Sequence, residues 1–147
     1  MMTDSGGKKV VFRVAGVGFS LQVSALMEIR ESSGVDIDRT VADPQRCLLG
    51  TIPYRDDAID LVDIRSILGL SSSGRDSVLV VVLGTDGVWA FPAEKIEGVA
   101  PAAEFRSCDT PALLQGGRNL FMKIDIWRQE PLVCFNPVLV EQFRVPL

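Results

Sequence analysis

The side chains that most often do chemistry are scarce here, and the scarcest is histidine, of which the 147 residues contain none. Histidine is the usual general base near neutral pH, the commonest metal ligand and the second member of most nucleophilic triads. Its absence excludes Ser-His, Cys-His, zinc-hydrolase and phosphohistidine mechanisms within this chain. Carboxylates remain. Asp36 and Asp38 are two apart, a spacing that puts both on one face of a strand, and Asp56, Asp57, Asp60 and Asp63 crowd one hairpin. Two such groups could divide acid and base work, as in glycosidases and aspartic proteases. For Asp36, Asp38 or the pair Asp56 and Asp57, hydrolysis would require a closed pocket that raises one pKa. The competing reading is local: Asp56 and Asp57 at a turn tip where Asp is favoured, Asp60 on the polar side of a strand, and Asp63 as a helix cap.

Cys47, Cys108 and Cys134 are odd in number and widely spaced, so neither a disulfide framework nor a metal site is expected, and each reads as a small buried residue. Gly16-Val17-Gly18 and the run from Gly84 to Gly87 resemble pieces of phosphate-cradling loops. Those loops lead from strand into helix; here both flanks read as strands, which makes these runs hairpin turns. A net charge of −4 argues against nucleic acid and anionic lipid as partners. Apolar residues at 47% and charged residues at 23% fit one globular domain rather than a disordered chain. Met1 to Lys9 is polar without a hydrophobic signal core, and no apolar run approaches the ~18 residues of a membrane span. A soluble protein in a reducing compartment is expected, with no cofactor and no metal.

The elements that must position any site are strands. Residues 10–14 and 19–23 alternate with period two around a Gly-rich turn and predict a β-hairpin. Residues 24–30 read as a short helical or irregular segment, and residues 31–44 as polar turns. Residues 48–54 and 58–62 predict a second hairpin around Arg55-Asp56-Asp57. Asp63 is then the expected N-cap of one helical turn, residues 64–68, closed by Gly69. Ser71-Ser72-Ser73-Gly74 has linker composition.

Beyond the linker the pattern restarts. Residues 78–83, a turn at 84–87 and residues 88–91 repeat the first hairpin. The second hairpin repeats more closely, with Tyr54-Arg55-Asp56-Asp57-Ala58-Ile59 matching Trp127-Arg128-Gln129-Glu130-Pro131-Leu132 at an offset of 73 (127 − 54 = 73). The same offset carries Asp63 onto Asn136, with Pro137 as a favoured first helical residue. Two copies are too few for a solenoid, but they fit two small β-barrels sharing an apolar seam. Trp89, Trp127, Tyr54, Phe19 and Phe91 read as core. An arginine beside an aromatic residue at a hairpin tip, as in Tyr54-Arg55 and Trp127-Arg128, is either ordinary surface charge or the composition of a protein-protein hot spot.

These segments resemble the CheW-like domain of bacterial chemosensory adaptors. The matching stretches are residues 12–23, Leu26-Met27-Glu28-Ile29-Arg30 as the family's "VxEIR" element, residues 50–70 and residues 78–99, with Glu94 at the family's usual Asp. Ile59-Asp60-Leu61-Val62-Asp63-Ile64-Arg65 resembles the "IVPVIDLR" signature, and the likeness spans residues 10–140. It implies an all-β fold: two five-stranded barrels resembling Src-homology-3 barrels on a shared hydrophobic core. Residues 1–9 would be a flexible N-terminus and residues 10–147 one CheW-like domain. One barrel would run over about residues 10–70 and the other over about 75–140, with strand exchange between them allowed.

The resemblance further implies a noncatalytic scaffold in the cytoplasm, at membrane-associated receptor arrays. It would couple the cytoplasmic tip of a methyl-accepting chemoreceptor, held between the barrels, to the regulatory domain of a CheA-type histidine kinase. Glu28 and Arg55 would be polar partner contacts, Leu26 an apolar groove contact, and Tyr54 and Asp56 part of the same partner-binding set. Where the family has Asn-Leu-Arg-Gly at the second hairpin, this chain has Pro53-Tyr54-Arg55-Asp56, which replaces the Gly by a residue that also tolerates positive φ. Two other roles stand beside this one: a CheW-like regulatory module for a different signalling protein, and the Asp-based hydrolase above.

Overall fold

The computed structural model describes residues 7–71, 74–108 and 123–144. Alternating and continuous apolar runs form strands in two successive sets. The first contains β1 (Lys8–Val14), β2 (Val17–Gln22), β3 (Leu26–Glu31), β4 (Leu48–Tyr54), β5 (Asp57–Val62) and the single-turn helix α1 (Ile64–Leu68). The second contains β6 (Val78–Gly84), β7 (Gly87–Ala93), β8 (Lys95–Pro101), β9 (Arg106–Cys108), β10 (Ile124–Trp127), β11 (Glu130–Cys134) and α2 (Pro137–Arg144). Ser72 and Ser73 of the expected linker lie outside the described residues.

The caps form as the side chains dictate. Asp63 accepts from the Ser66 amide, Gly69 closes α1 in the left-handed region, and Asn136 Oδ1 accepts from the amides of Val138 and Leu139. Among the boundaries that differ from expectation, two bear on the sheets. Residues 26–31 are a strand after one 3-10 turn (Val23–Ala25), because pairing with β6 overrides the helix preference of Ala25, Leu26, Met27 and Glu28. Strand β1 starts at Lys8, two residues early, and continues its ladder to β8 through Lys8 and Pro101.

The sheets do not follow the halves of the sequence. One has six strands in the order β8-β1-β2-β11-β10-β9, and the other five in the order β3-β6-β7-β5-β4. Each repeat thus lends its first hairpin to the barrel that holds the other repeat's later strands. Both barrels join the lent hairpin to its host through a short parallel contact, Cys134 beside Ser20 in one and Leu61 beside Ala90 in the other. Hairpin one and the strand after it recur at an offset of 70 (96 − 26 = 70), which places Ser20 on Ala90. The five-stranded sheet is called the Tyr54 barrel below, and the six-stranded sheet, with the short extra strand β9, the Trp127 barrel.

The seam between barrels is the largest apolar cluster. Phe12, Phe19, Phe91 and Phe135 pack ring against ring at centroid distances of 4.8–6.0 Å, joined by Val80, Val82, Trp89 and the inner faces of both helices. Such aromatic packing adds to the area term and fixes the two barrels as one body. Helix α2 is latched across the seam, where Glu141 accepts from Trp89 Nε1 (2.7 Å) and from the Thr85 amide. Gly84 is required there, since a Cβ would collide with both the Glu141 carboxylate and the Trp89 indole nitrogen. None of the three cysteines is in a disulfide; Cys47 and Cys134 are half-buried, whereas Cys108 is exposed on the outer strand β9. Among the described residues no helix is long and apolar enough to cross a membrane.

Candidate functional site

The Tyr54 barrel places four charged or aromatic side chains in one group. Tyr54 ends β4 and is buried, and its ring carries two guanidinium groups, that of Arg55 at 5.2 Å from the centroid and that of Arg30 at 5.5 Å. Arg30 lies two residues after Glu28 on β3, so both project from one side of the strand. Its Nε donates to the Glu28 carboxylate, and its Nη1 donates to the Pro53 carbonyl at 2.6 Å. Strands β3 and β4 are the two outer strands of this sheet. Arg30 therefore closes the barrel where no ladder does, and neutralisation by Glu28 lets a second cation share the ring.

Arg55 itself is exposed and sits at φ 56°. The sequence pattern put the positive φ on Asp56, which replaces the family's Gly; the structure puts it on the arginine, the first of the two turn residues. A non-glycine residue in that region is strained by about 1 kcal/mol or more, so the turn holds a long cation out of the strand path. Asp56 is exposed beside it.

Leu26 belongs to a different surface. It pairs with Val82 and packs on the inter-barrel cluster rather than on the tip. Ile96 is its counterpart on β8 and packs on the same cluster. Beyond them, Ile29 (37% exposed) and Val99 (55% exposed) stand opposite the buried seam residues Val80 and Val10. The seam is thus rimmed by exposed hydrocarbon from β3 and β8. The structure joins Glu28, Tyr54 and Arg55 through Arg30 and leaves Leu26 at the rim. Sequence reading missed Arg30 as the joining residue, although its spacing of two from Glu28 was the signal.

The second tip is finished differently. Arg128 stacks on Trp127 at 4.3 Å, and Phe105 stacks on the same ring, parallel to within 9° at 5.6 Å. Arg128 and Gln129 both take positive φ, the type I′ pattern of a two-residue hairpin. Tyr54 Oη and Trp127 Nε1 are both buried without a hydrogen-bond partner among the described residues.

The Asp-based hydrolase is overturned. Asp36, Asp38, Asp56 and Asp57 are all exposed. Asp36 and Asp38 do not lie on a regular strand; Asp38 makes one isolated bridge to Thr51. Hydrogen bonds from the Thr40 hydroxyl and amide hold the Asp38 carboxyl below the usual carboxylate range, the opposite of what a general acid needs.

Compared with known proteins, the chain matches the CheW-like domain over residues 8–115. It shares its fold with the scaffolding protein TtCheW from Thermoanaerobacter tengcongensis, with a TM-score of 0.75 and 18% identity over 92% of each chain. No curated protein matches it.

Proposed function

The chain belongs to the CheW-like domain family, and from that premise we propose that it is a noncatalytic cytoplasmic adaptor coupling a chemoreceptor tip to the regulatory domain of a CheA-type histidine kinase. The observation that carries this reading is the charged cluster on the Tyr54 barrel. Glu28, Arg30, Tyr54 and Arg55 form a preorganised surface of mixed charge over an aromatic base, the kind of group that contributes strongly to protein-protein affinity. The kinase domain docks there, against the Arg55 guanidinium and the outward face of Glu28. The receptor hairpin lies along the hydrocarbon rim formed by Leu26, Ile29, Ile96 and Val99. With no histidine, the chain cannot carry a phosphohistidine.

A second reading rests on the Pro53-Tyr54-Arg55-Asp56 tip, which differs from the family's usual one. A regulatory module for another signalling protein would keep the barrels and change that surface. Calorimetric titration with the cognate kinase's regulatory domain and with a receptor-tip fragment separates the two. Saturable binding of both, weakened by salt, is expected, and Arg55→Glu should weaken the kinase complex at least about tenfold with thermal unfolding nearly unchanged. Absence of binding to both partners overturns the adaptor; a large loss of stability in Arg55→Glu makes Arg55 structural.

A further inference from the structure

The interiors of the two barrels differ in kind at equivalent positions. Inside the Tyr54 barrel, Leu79, Ala90, Ile37 and Ile52 belong to one apolar cluster. At the matching places of the Trp127 barrel (offset 70 for the first three, since 79 − 9 = 70, and 73 for the last, since 125 − 52 = 73) stand Lys9, Ser20, Ser107 and Asp125. Asp125 is fully buried. Its Oδ2 accepts from Lys9 Nζ and Ser20 Oγ, each at 2.7 Å, and its Oδ1 accepts from Ser107 Oγ at 2.6 Å. A buried ionic cluster commonly contributes no more stability than hydrocarbon of the same volume, and the sister barrel shows that hydrocarbon fits this architecture. Stability therefore does not explain the polar set.

A cavity of about 450 Å³ does. It opens between the end of β2, strand β9 and the junction of β11 with α2, and Lys9, Ser20 and Ser107 line it. The volume is that of a small-molecule site. Among the described residues two lysines, Lys9 and Lys123, line the cavity, and no Asp or Glu does. Asp125 sits behind the wall with both oxygens engaged, holding Lys9 in place while leaving it further N–H donors. The Cys134 thiol, also in the wall, is pushed up to about 11 by burial, so it adds no competing negative charge. Leu21, Ala25, Phe135 and Leu139 supply an apolar side. We propose that this cavity binds a small organic carboxylate, its anionic end on Lys9 and Lys123 and its hydrocarbon end on the apolar side.

Hexanoate is a suitable probe, with uncharged hexanamide as the control, titrated into the full chain and followed by amide NMR shifts. Saturable shifts at Ser20, Ser107 and Cys134 with hexanoate, and binding of hexanamide weaker by at least about tenfold, are expected. Lys9→Met should abolish the response. Because that substitution leaves Asp125 unpaired and endangers folding, exposed Lys123→Gln provides the second test, with hexanoate binding reduced severalfold and the melting temperature unchanged. Hexanoate that gives no saturable shifts, equal binding of the amide, or a Lys123→Gln protein that binds like wild type would each overturn the proposal.

Discussion

Tyr54 and Trp127 occupy the same place in the two barrels, at the start of equivalent hairpin turns, and each carries an arginine over its ring. Their other neighbours differ. Tyr54 is covered by Arg30, whose counterpart at the offset of the first hairpins is Ala100 (100 − 30 = 70); Trp127 is covered by Phe105, whose counterpart is Val35 (105 − 35 = 70). Cation cover leaves a charged, wettable surface tied to Glu28 and the Pro53 carbonyl, whereas hydrocarbon cover seals the ring into the barrel. In the interiors the polarity is reversed, with charge inside the Trp127 barrel and hydrocarbon inside the Tyr54 barrel. The two halves keep the ladder and the seam and differ in the charge they carry outside one barrel and inside the other.

The largest effect should come from breaking the interior contrast halfway. Asp125→Ala leaves half-buried Lys9 and the Ser20 and Ser107 hydroxyls without their shared acceptor and should cost about 3–5 kcal/mol, read by denaturant melts. Completing the conversion with Lys9→Leu, Ser20→Ala, Ser107→Ile and Asp125→Ile, the set found in the other barrel, should recover most of that loss. A converted protein as unstable as Asp125→Ala would show that the two interiors are not interchangeable. Acid titration sharpens the same point. Burial alone would raise the Asp125 pKa, but the hydrogen bonds from Lys9, Ser107 and Ser20 outweigh it and hold the carboxyl below its ordinary value. Its contribution is therefore complete above the unfolded carboxylate pKa of about 3.9 and is lost as pH falls through the lower folded value. Stability of the converted protein should fall less steeply with acid over that window.

A smaller loss is expected where the two helices differ. The counterpart of Gly84 is Val14 (84 − 14 = 70), tolerated because short α1 places no carboxylate over it. Gly84→Val drives a side chain into the Glu141 latch on Trp89 and should cost about 1–3 kcal/mol, with Trp89 fluorescence reporting the changed indole environment. A neutral Gly84→Val would show that the latch is dispensable.

Much of this was legible in the sequence and some was not, for physical reasons. The hairpins, the offset of 73, both caps and the duplicated tips are local patterns of alternation and turn chemistry. The exchange of first hairpins left no local trace, because pairing between distant strands depends on which faces meet. Residues 24–30 misled because their intrinsic preference is helical and only the β6 ladder corrects it. Asp125 did carry a signal that went unread. It lies two residues before Trp127 in a strand, so a buried indole places the carboxylate inward as well. At the site, the family likeness selected Glu28, Tyr54 and Arg55, but their joining through Arg30 required the geometry of two outer strands.

The turns separate stability from recognition. Arg55 and Arg128 both take positive φ without being glycine. Arg55→Gly and Arg128→Gly should each leave stability unchanged or raise it by up to about 1 kcal/mol, as relief of backbone strain offsets the entropy of glycine in the unfolded chain. Only Arg55→Gly should weaken the kinase complex. Equal losses of affinity from both would make the tips functional equals and erase the contrast drawn between them.

The smallest change tests the base of the Tyr54 tip. Its hydroxyl is buried without a partner among the described residues, and such an orphan costs about 1–3 kcal/mol of desolvation. Tyr54→Phe removes the hydroxyl and keeps the ring under Arg30 and Arg55. The variant should be neutral or more stable by up to about 1 kcal/mol, with unchanged kinase affinity, since the guanidinium groups rest on the ring and not on the oxygen. Trp127 admits no matching deletion, because its unpaired N–H is part of the ring that stacks on Phe105. If Tyr54→Phe weakens kinase binding while leaving stability intact, the hydroxyl is uncovered on docking and gains its missing hydrogen bond from the partner. That outcome would move Tyr54 from the support of the recognition surface into the surface itself.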